Sequence, residues 1–385
     1  MDRGRSGSAG RWVGAMIALA VVALGGEVAV GQGGVQATRM TSRDVGDLVR
    51  ALGLSPEDGD AAVALHEAMR ASLERAMLEV RRMKRQSDAA ILEKLPHAGE
   101  ARRAWHESLR AFQREAVEKE RVFLEDLRAV AGVEESDERW SDAMRLVRRL
   151  ELRRLAGVGL TRWANVDLRR VMSDLGAARP EIEEVLRGWE LEVDRPLVER
   201  IGMWEEEAAR AGDRDASEAA DLAGRDLEIA SRVAGLTRAS ARRIVAALSS
   251  EERTAFEYVV RRQVYPLFGD ERRGDRALSQ AESMLDLTTG QRSRLEARRA
   301  LYARESARLD AEVVRACDEA EESLMAFQKL PALERLPIEQ RGEHPALVLY
   351  RRLSAARASL EYETENHVRS VLTAIQREAL NVAMK

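Results

Sequence analysis

The sequence predicts an all-α protein of long antiparallel, coiled-coil-like helical hairpins, elongated and arranged as three successive modules. Three observations carry that reading. Aromatic residues make up 4% of the chain and there are eight prolines, few of the residues on which sheets and tight turns draw. Apolar residues reach 45% and charged ones 33%, too apolar for disorder and charged enough to solvate one face of many helices. Apolar positions also recur at three- and four-residue steps through long stretches free of glycine and proline.

The chain opens with Arg3, Arg5 and Arg11 against the single acid Asp2, followed by the uncharged run Trp12 to Leu24. That run is shorter than the ~20 residues needed to cross a bilayer core as a helix. Small residues at Ala29 and Gly31 then mark a signal-peptide cleavage site, so residues 1–31 are expected to be removed. An uncleaved N-terminal anchor is the alternative, and either reading exports the body to the periplasm or the exterior. No cysteine follows the apolar run, which excludes a lipoprotein. Cys317 is the only cysteine, so no intramolecular disulfide is possible and it reads as a small packing residue.

Residues 32–40 lack periodicity and read as a flexible lead-in. Module 1 spans 41–157. Ser55-Pro56-Glu57-Asp58 opens a long helix carrying Leu65, Met69, Ala76, Val80 and Met83. Pro96 to Gly99 breaks it, and a second stripe returns with Trp105, Leu109, Phe112, Ala116, Phe123, Leu127 and Val130. Ser136-Asp137-Glu138 opens a third helix with Trp140, Val147 and Leu150, and Gly157-Val158-Gly159 reads as a linker.

Module 2 spans 165–268. A short helix from Asn165 to Leu175 precedes one opened by Pro180, with Ile182, Val185, Trp189, Val193, Leu197, Ile201 and Trp204 on one side. Pro196 inside it predicts a kink or two abutting helices. After the break at Gly212-Asp213 a return helix runs from about Asp215 to Leu248, and Ser249 to Phe268 closes the module. Module 3 spans 275–385: a very long helix from Thr288, a connector between Pro331 and Pro337, a return helix from Pro345, and a short last one from Thr373. A single continuous rod is the alternative, and the three clusters of breakers favour modules.

The chemistry of enzymes is absent from these spacings. There is no phosphate-binding glycine loop, nucleophile elbow or His-Glu-x-x-His pair, and no histidine has glutamate three residues before it. His367 with Glu363 one turn earlier forms half a metal pair at most and reads as an ordinary helix-face pair. Trp105, Trp140, Trp189 and Trp204 sit on apolar seams and read as core. Acid runs such as Glu205-Glu206-Glu207 read as solvated faces. No catalytic, cofactor or metal residue is assigned, and no cofactor is expected. A formal net charge of −4 argues against a nucleic-acid binder.

One pattern does recur at helix starts: Leu54-Ser55-Pro56-Glu57-Asp58, Leu248-Ser249-Ser250-Glu251-Glu252, Leu287-Thr288-Thr289-Gly290-Gln291 and Leu372-Thr373-Ala374-Ile375-Gln376. The hydroxyl caps the helix, the side chain three residues on returns to the cap's backbone N–H, and the leucine acts as a staple. The last two copies read Leu-Thr-x-x-Gln. With the leader, the missing disulfides and the helical charged body, residues 283–385 resemble the Spy-type periplasmic proteins, whose hallmark is that pentapeptide. The resemblance implies thin helical cradles that hold unfolded envelope proteins without ATP. The expected function is therefore a non-enzymatic holdase or envelope-stress protein whose partners are unfolded clients. The alternative is a structural scaffold that binds a dedicated envelope partner or forms a homodimer. Neither reading involves nucleic acid or a stable membrane span after processing.

N-terminal sequencing of the protein from its native host should find Gln32 first. Retention of Met1 would refute the leader.

Overall fold

A computed structural model describes residues 40–384 apart from 94, 156, 178, 210–215, 266–267, 269–271 and 329–344. The expected leader, most of the lead-in, and the breakers Gly212, Asp213, Pro331 and Pro337 lie outside the described residues. The all-α class holds. Among the described residues there are twelve α-helices and two 3-10 turns, and the only β-type pairing there is an isolated bridge. No described helix is long and apolar enough to cross a membrane.

In chain order the helices are α1 (Ser42–Leu52), α2 (Pro56–Leu92), α3 (Ala98–Ala131), α4 (Glu138–Arg149), α5 (Leu168–Leu175), α6 (Pro180–Ala209), α7 (Ala216–Ala247), α8 (Ser250–Val264), α9 (Arg273–Glu282), α10 (Thr289–Gln328), α11 (Pro345–Val371) and α12 (Ala374–Ala383). The 3-10 turns are Leu150–Arg154 and Trp163–Asn165. The chain gathers into two compact units. The first holds residues up to Arg154 together with Glu190–Asp215, and the second holds Leu155–Trp189 and Ala216–Lys385. Helix α6 thus contributes to both. It runs through the buried Pro196 as one helix rather than two abutting ones.

In the first unit α2 and α3 form an antiparallel hairpin. His66 near the start of α2 meets Phe123 near the end of α3 at 5.8 Å, and Lys84 lies 5.5 Å from the ring of Trp105. Met69, Leu73, Met77 and Val80 pack with Leu109, Phe112, Phe123 and Leu127. Three polar residues of the hairpin also lie inside: His66, whose Nε2 pairs with the carbonyl of Met40 at 3.2 Å, Ser87, and Glu120, which fills the step between Ala116 and Phe123. Helix α1 supplies Val45, Leu48 and Leu52 to the same core, and α4 supplies Trp140 and Ala143.

Arginines seal this unit. Arg148 grips Asp194 through two bonds of 2.6 and 2.8 Å, Arg149 pairs with Glu190, and the buried Arg200 pairs with the buried Glu151 while donating to the carbonyl of Arg154 at 3.2 Å. Removing one partner of such a buried pair costs about 3–5 kcal/mol, because the other charge is stranded.

The second unit packs α9 and α11 closely together against α10, with α12 against α9. α10 and α11 are antiparallel: Gln291 reaches Val371, Arg298 reaches Thr364, and Tyr302 reaches Glu361. Gly274 of α9 lies so close to α11 that an added Cβ would stand 2.9 Å from Glu361 and 3.0 Å from Thr364. Elsewhere in this unit Trp189 is fully buried and donates to Thr237 of α7 at 3.2 Å. The stretch that reads as a linker is an ordered turn. Val158 and Thr161 exchange backbone hydrogen bonds at 3.0 Å, and Gly159 adopts φ +60° with Glu321 Cα 3.0 Å from where a Cβ would sit. Only glycine satisfies both the angle and the approach.

Asp44, in the first turn of α1, gives the fold an acid-labile tie. Burial pushes its carboxyl up, but the Arg153 guanidinium and the backbone and hydroxyl of Thr41 outweigh burial and hold it below the usual carboxylate range. A depressed folded pKa means stability present above the unfolded pKa and lost as pH falls through the folded one. Asp44→Asn should therefore cost about 1.5–3 kcal/mol in urea unfolding near neutral pH. Its deficit relative to the parent should shrink towards zero in strong acid, and a deficit that does not change with pH would refute the assignment.

Candidate functional site

The recurring caps are the feature that sequence singled out, and each forms as a local element. Ser249 accepts from the N–H of Glu252, whose carboxylate accepts the N–H of Ser249 at 2.9 Å. Ser55 makes half a box: its hydroxyl accepts from the N–H of Asp58 at 3.2 Å and donates to that carboxylate at 2.7 Å. Thr288 and Thr373 make complete boxes with Gln291 and Gln376, whose Oε1 atoms accept the cap N–H groups at 2.9 and 3.0 Å. The leading Leu248, Leu287 and Leu372 are buried, and Leu54 is packed partly against the first core.

The structure also joins the last two boxes to each other. Gln291 and Gln376 are 6% and 4% exposed, so every polar atom of their amides needs a partner inside the protein. Gln291 Nε2 donates to the carbonyl of Val371 and to Gln376 Oε1, both at 2.9 Å. Gln376 Nε2 donates to the carbonyl of Asp286 at 3.3 Å and to its carboxylate at 3.0 Å. Each amide thus uses its oxygen on its own cap and its nitrogen on the other box's flank. The pair closes the end of the α10–α11 hairpin and fixes α12 there.

Sequence reading finds the boxes but misses this reach. It also misses a further box, Thr41 with Asp44, because Met40 rather than leucine precedes it; the signal was the hydroxyl three residues before an acid. At two boxes the acid carries a second load. Asp44 binds Arg153, and Glu252 receives both 2.6 and 2.5 Å bonds from Arg179.

The other candidates resolve as follows. Trp140 and Trp189 are core, whereas Trp105 and Trp204 are half-buried beneath Lys84 and Arg200. Glu363 accepts from Ser359 at 2.8 Å, while His367 faces Arg294 and Arg298 of α10. Cys317 is fully buried, and burial followed by the nearby Asp318 pushes its thiol up to about 12, out of reach of thiolate chemistry at neutral pH. A cleft of about 230 Å³ lies between the start of α9 and α10, lined by Arg272, Asp275, Arg299, Tyr302, Ser306 and Asp310 among others. Its charges are matched within the protein: Arg272 binds Asp310 and Ser306, Arg299 binds Glu282 and Asp275, and Tyr302 binds Glu361. It is smaller than the ~300–1,000 Å³ of ordinary ligand pockets.

Large apolar side chains are uncovered beside the joined boxes. Leu285, just before Asp286, is 97% exposed, and Ile375, just before Gln376, is 81% exposed. Val382 at 70% lies two turns beyond Ile375 on the same face of α12, with Ala379 between them. Comparison with known proteins returns no matching family model, no matching curated protein and no matching solved structure.

If the amide pair holds this end together, Gln291→Glu should be worse than loss of a cap. It keeps the acceptor for Thr288 but leaves Val371's carbonyl and Gln376 Oε1 facing a carboxylate, a loss of about 2–4 kcal/mol. Thr288→Ala should cost about 1 kcal/mol. Equal costs in denaturant titration would reduce the pair to two independent caps.

Proposed function

We propose that this chain is an exported, non-enzymatic holdase of the Spy-like kind, binding apolar segments of unfolded proteins without ATP. The observation that carries the reading is the uncovered apolar surface at the joined boxes: Leu285, Ile375 and Val382 stand in water beside a pair of buried, fully bonded glutamines. A bonded end with exposed apolar side chains suits contact with many sequences, because the holder itself loses little order on binding. The Leu-Thr-x-x-Gln copies support the same reading through the family they resemble. The expected leader supports a periplasmic or extracellular setting, where no nucleotide would drive release and binding would rest on surface alone.

The test uses the full mature chain, because α9 buries Ala277, Leu278 and Ala281 and a fragment beginning at 283 would lose it. The protein should delay the thermal aggregation of several unrelated proteins at equimolar ratio without ATP. The triple variant Leu285→Ser/Ile375→Asn/Val382→Ser should fold equally well and lose most of that protection. Failure of the folded parent to protect any client would reject the holdase in favour of a scaffold with a dedicated or identical partner.

A further inference from the structure

We infer that Arg294, Arg298 and His367 form a binding site for a phosphate-type dianion, carried either as free phosphate or on an anionic lipid headgroup. The site rests on the antiparallel register of α10 and α11. The contacts Gln291 to Val371 and Arg298 to Thr364 fix Arg294 opposite His367, one turn from the joined boxes. Arg298 is held in place by Thr364, whose hydroxyl accepts from Nε at 3.2 Å and from Nη2 at 2.7 Å. Arg294 is held by its own helix, with Nε donating to the carbonyl of Gly290 at 3.2 Å. Arg294's two terminal nitrogens and Arg298 Nη1 have no acceptor among the described residues. Neither guanidinium has a carboxylate within ion-pairing distance among the described residues; Arg294 is exposed and Arg298 half-buried, so these free nitrogens face water and are open to a ligand.

His367 completes the set. Partial burial, then the positive charges of Arg298 and Arg294, hold its imidazole below the ordinary histidine range despite a hydrogen bond to the Arg294 backbone, and so favour the neutral form at pH 7. Two fixed guanidiniums and a neutral imidazole hold +2, the charge that a phosphate dianion balances. A dianion placed among them offsets the repulsion from the two guanidiniums and favours the imidazolium, which becomes a further donor. A monoanion leaves one positive charge uncompensated. The carboxylates nearby are engaged or set apart: Glu363 accepts from Ser359, Glu365 pairs with Arg369, and Asp275 and Glu282 pair with Arg299 on the α9 side of α10. Glu296 is exposed on α10, and the exposed cations Arg292 and Arg377 flank the box end.

Inorganic phosphate is the first probe. The His367 ring signals, assigned with His367→Asn, are titrated by NMR in phosphate and in chloride at matched ionic strength. Phosphate should raise the midpoint by about one unit, the tenfold coupling of an ordinary linked pair of sites. Arg294→Gln/Arg298→Gln, checked for helicity, should raise the midpoint in chloride and abolish the response to phosphate. Arg294→Lys/Arg298→Lys should retain part of it, and Glu363→Gln should strengthen it. Sedimentation with vesicles containing phosphatidic acid, whose headgroup is a phosphomonoester able to become a dianion, separates the sources. Cosedimentation lost in the double glutamine variant identifies a headgroup, and its absence beside a phosphate response identifies a small phosphate. A midpoint that is the same in phosphate and chloride, or a phosphate response that survives in the double glutamine variant, overturns the site.

Discussion

A helix leaves its first backbone N–H groups without partners, and this chain answers them with side chains that also reach a second helix. The rest of the architecture depends on that double use. A cap alone contributes about 1 kcal/mol and stabilises one helix. When the returning side chain is Asp44, Glu252, Gln291 or Gln376, it also holds Arg153, Arg179 or the opposing box, so the start of a helix and its tertiary contact form together. Asp44, Gln291 and Gln376 are buried, so removing one strands its partners, which costs more than the cap alone.

How far this is legible in the sequence follows from distance along the chain. The caps were readable because cap and answering residue lie three apart, and the seams of α2 and α3 because their period is local. The partners were not, since Arg153 and Asp44 or Gln291 and Gln376 are separated by most of a module. A hint was nevertheless present. Accepting the cap N–H needs no more than a carboxylate, as at Asp44 and Glu252; glutamine at both later boxes adds two donors that the cap does not need. His66 and Glu120 escaped for the opposite reason, polar types at seam positions that a reading of apolar periodicity passes over. Helix α6 shows a third limit: one uninterrupted apolar stripe from Ile182 to Leu197 gives no sign that its two parts belong to different compact units.

The two long hairpins solve the same problem with different chemistry. In α2 and α3 methionine, leucine and phenylalanine interdigitate, and contact is non-directional. Between α10 and its neighbours the register is set by directional bonds: the glutamine pair, Arg298 on Thr364, Tyr302 on Glu361, and Asp310 between Arg272 and Arg357. Further along, Thr161 and Arg238 share Glu321, and Tyr265 donates to Asp318. With aromatics at 4%, the chain has few large side chains to specify register by shape, and polar pairs supply what bulk does not.

The charge order along α10 then separates the ties from what is left over. Its first turns carry Arg292, Arg294, Arg298 and Arg299 against Glu296, and its last turns carry Asp318, Glu319, Glu321 and Glu322 against Arg315. Of these residues only Arg292 falls in a terminal turn of α10, where the helix dipole acts, so the dipole does not explain that order. Tertiary pairing explains the acidic end, where Glu321 meets Arg238 and Asp318 meets Tyr265. At the basic end it explains Arg299, which is gripped by Glu282 and Asp275, and leaves Arg294 and Arg298 beside His367 with no acid at all. Exposed Arg294 and half-buried Arg298 meet water rather than an internal counterion, which leaves them open to the anion proposed for this site.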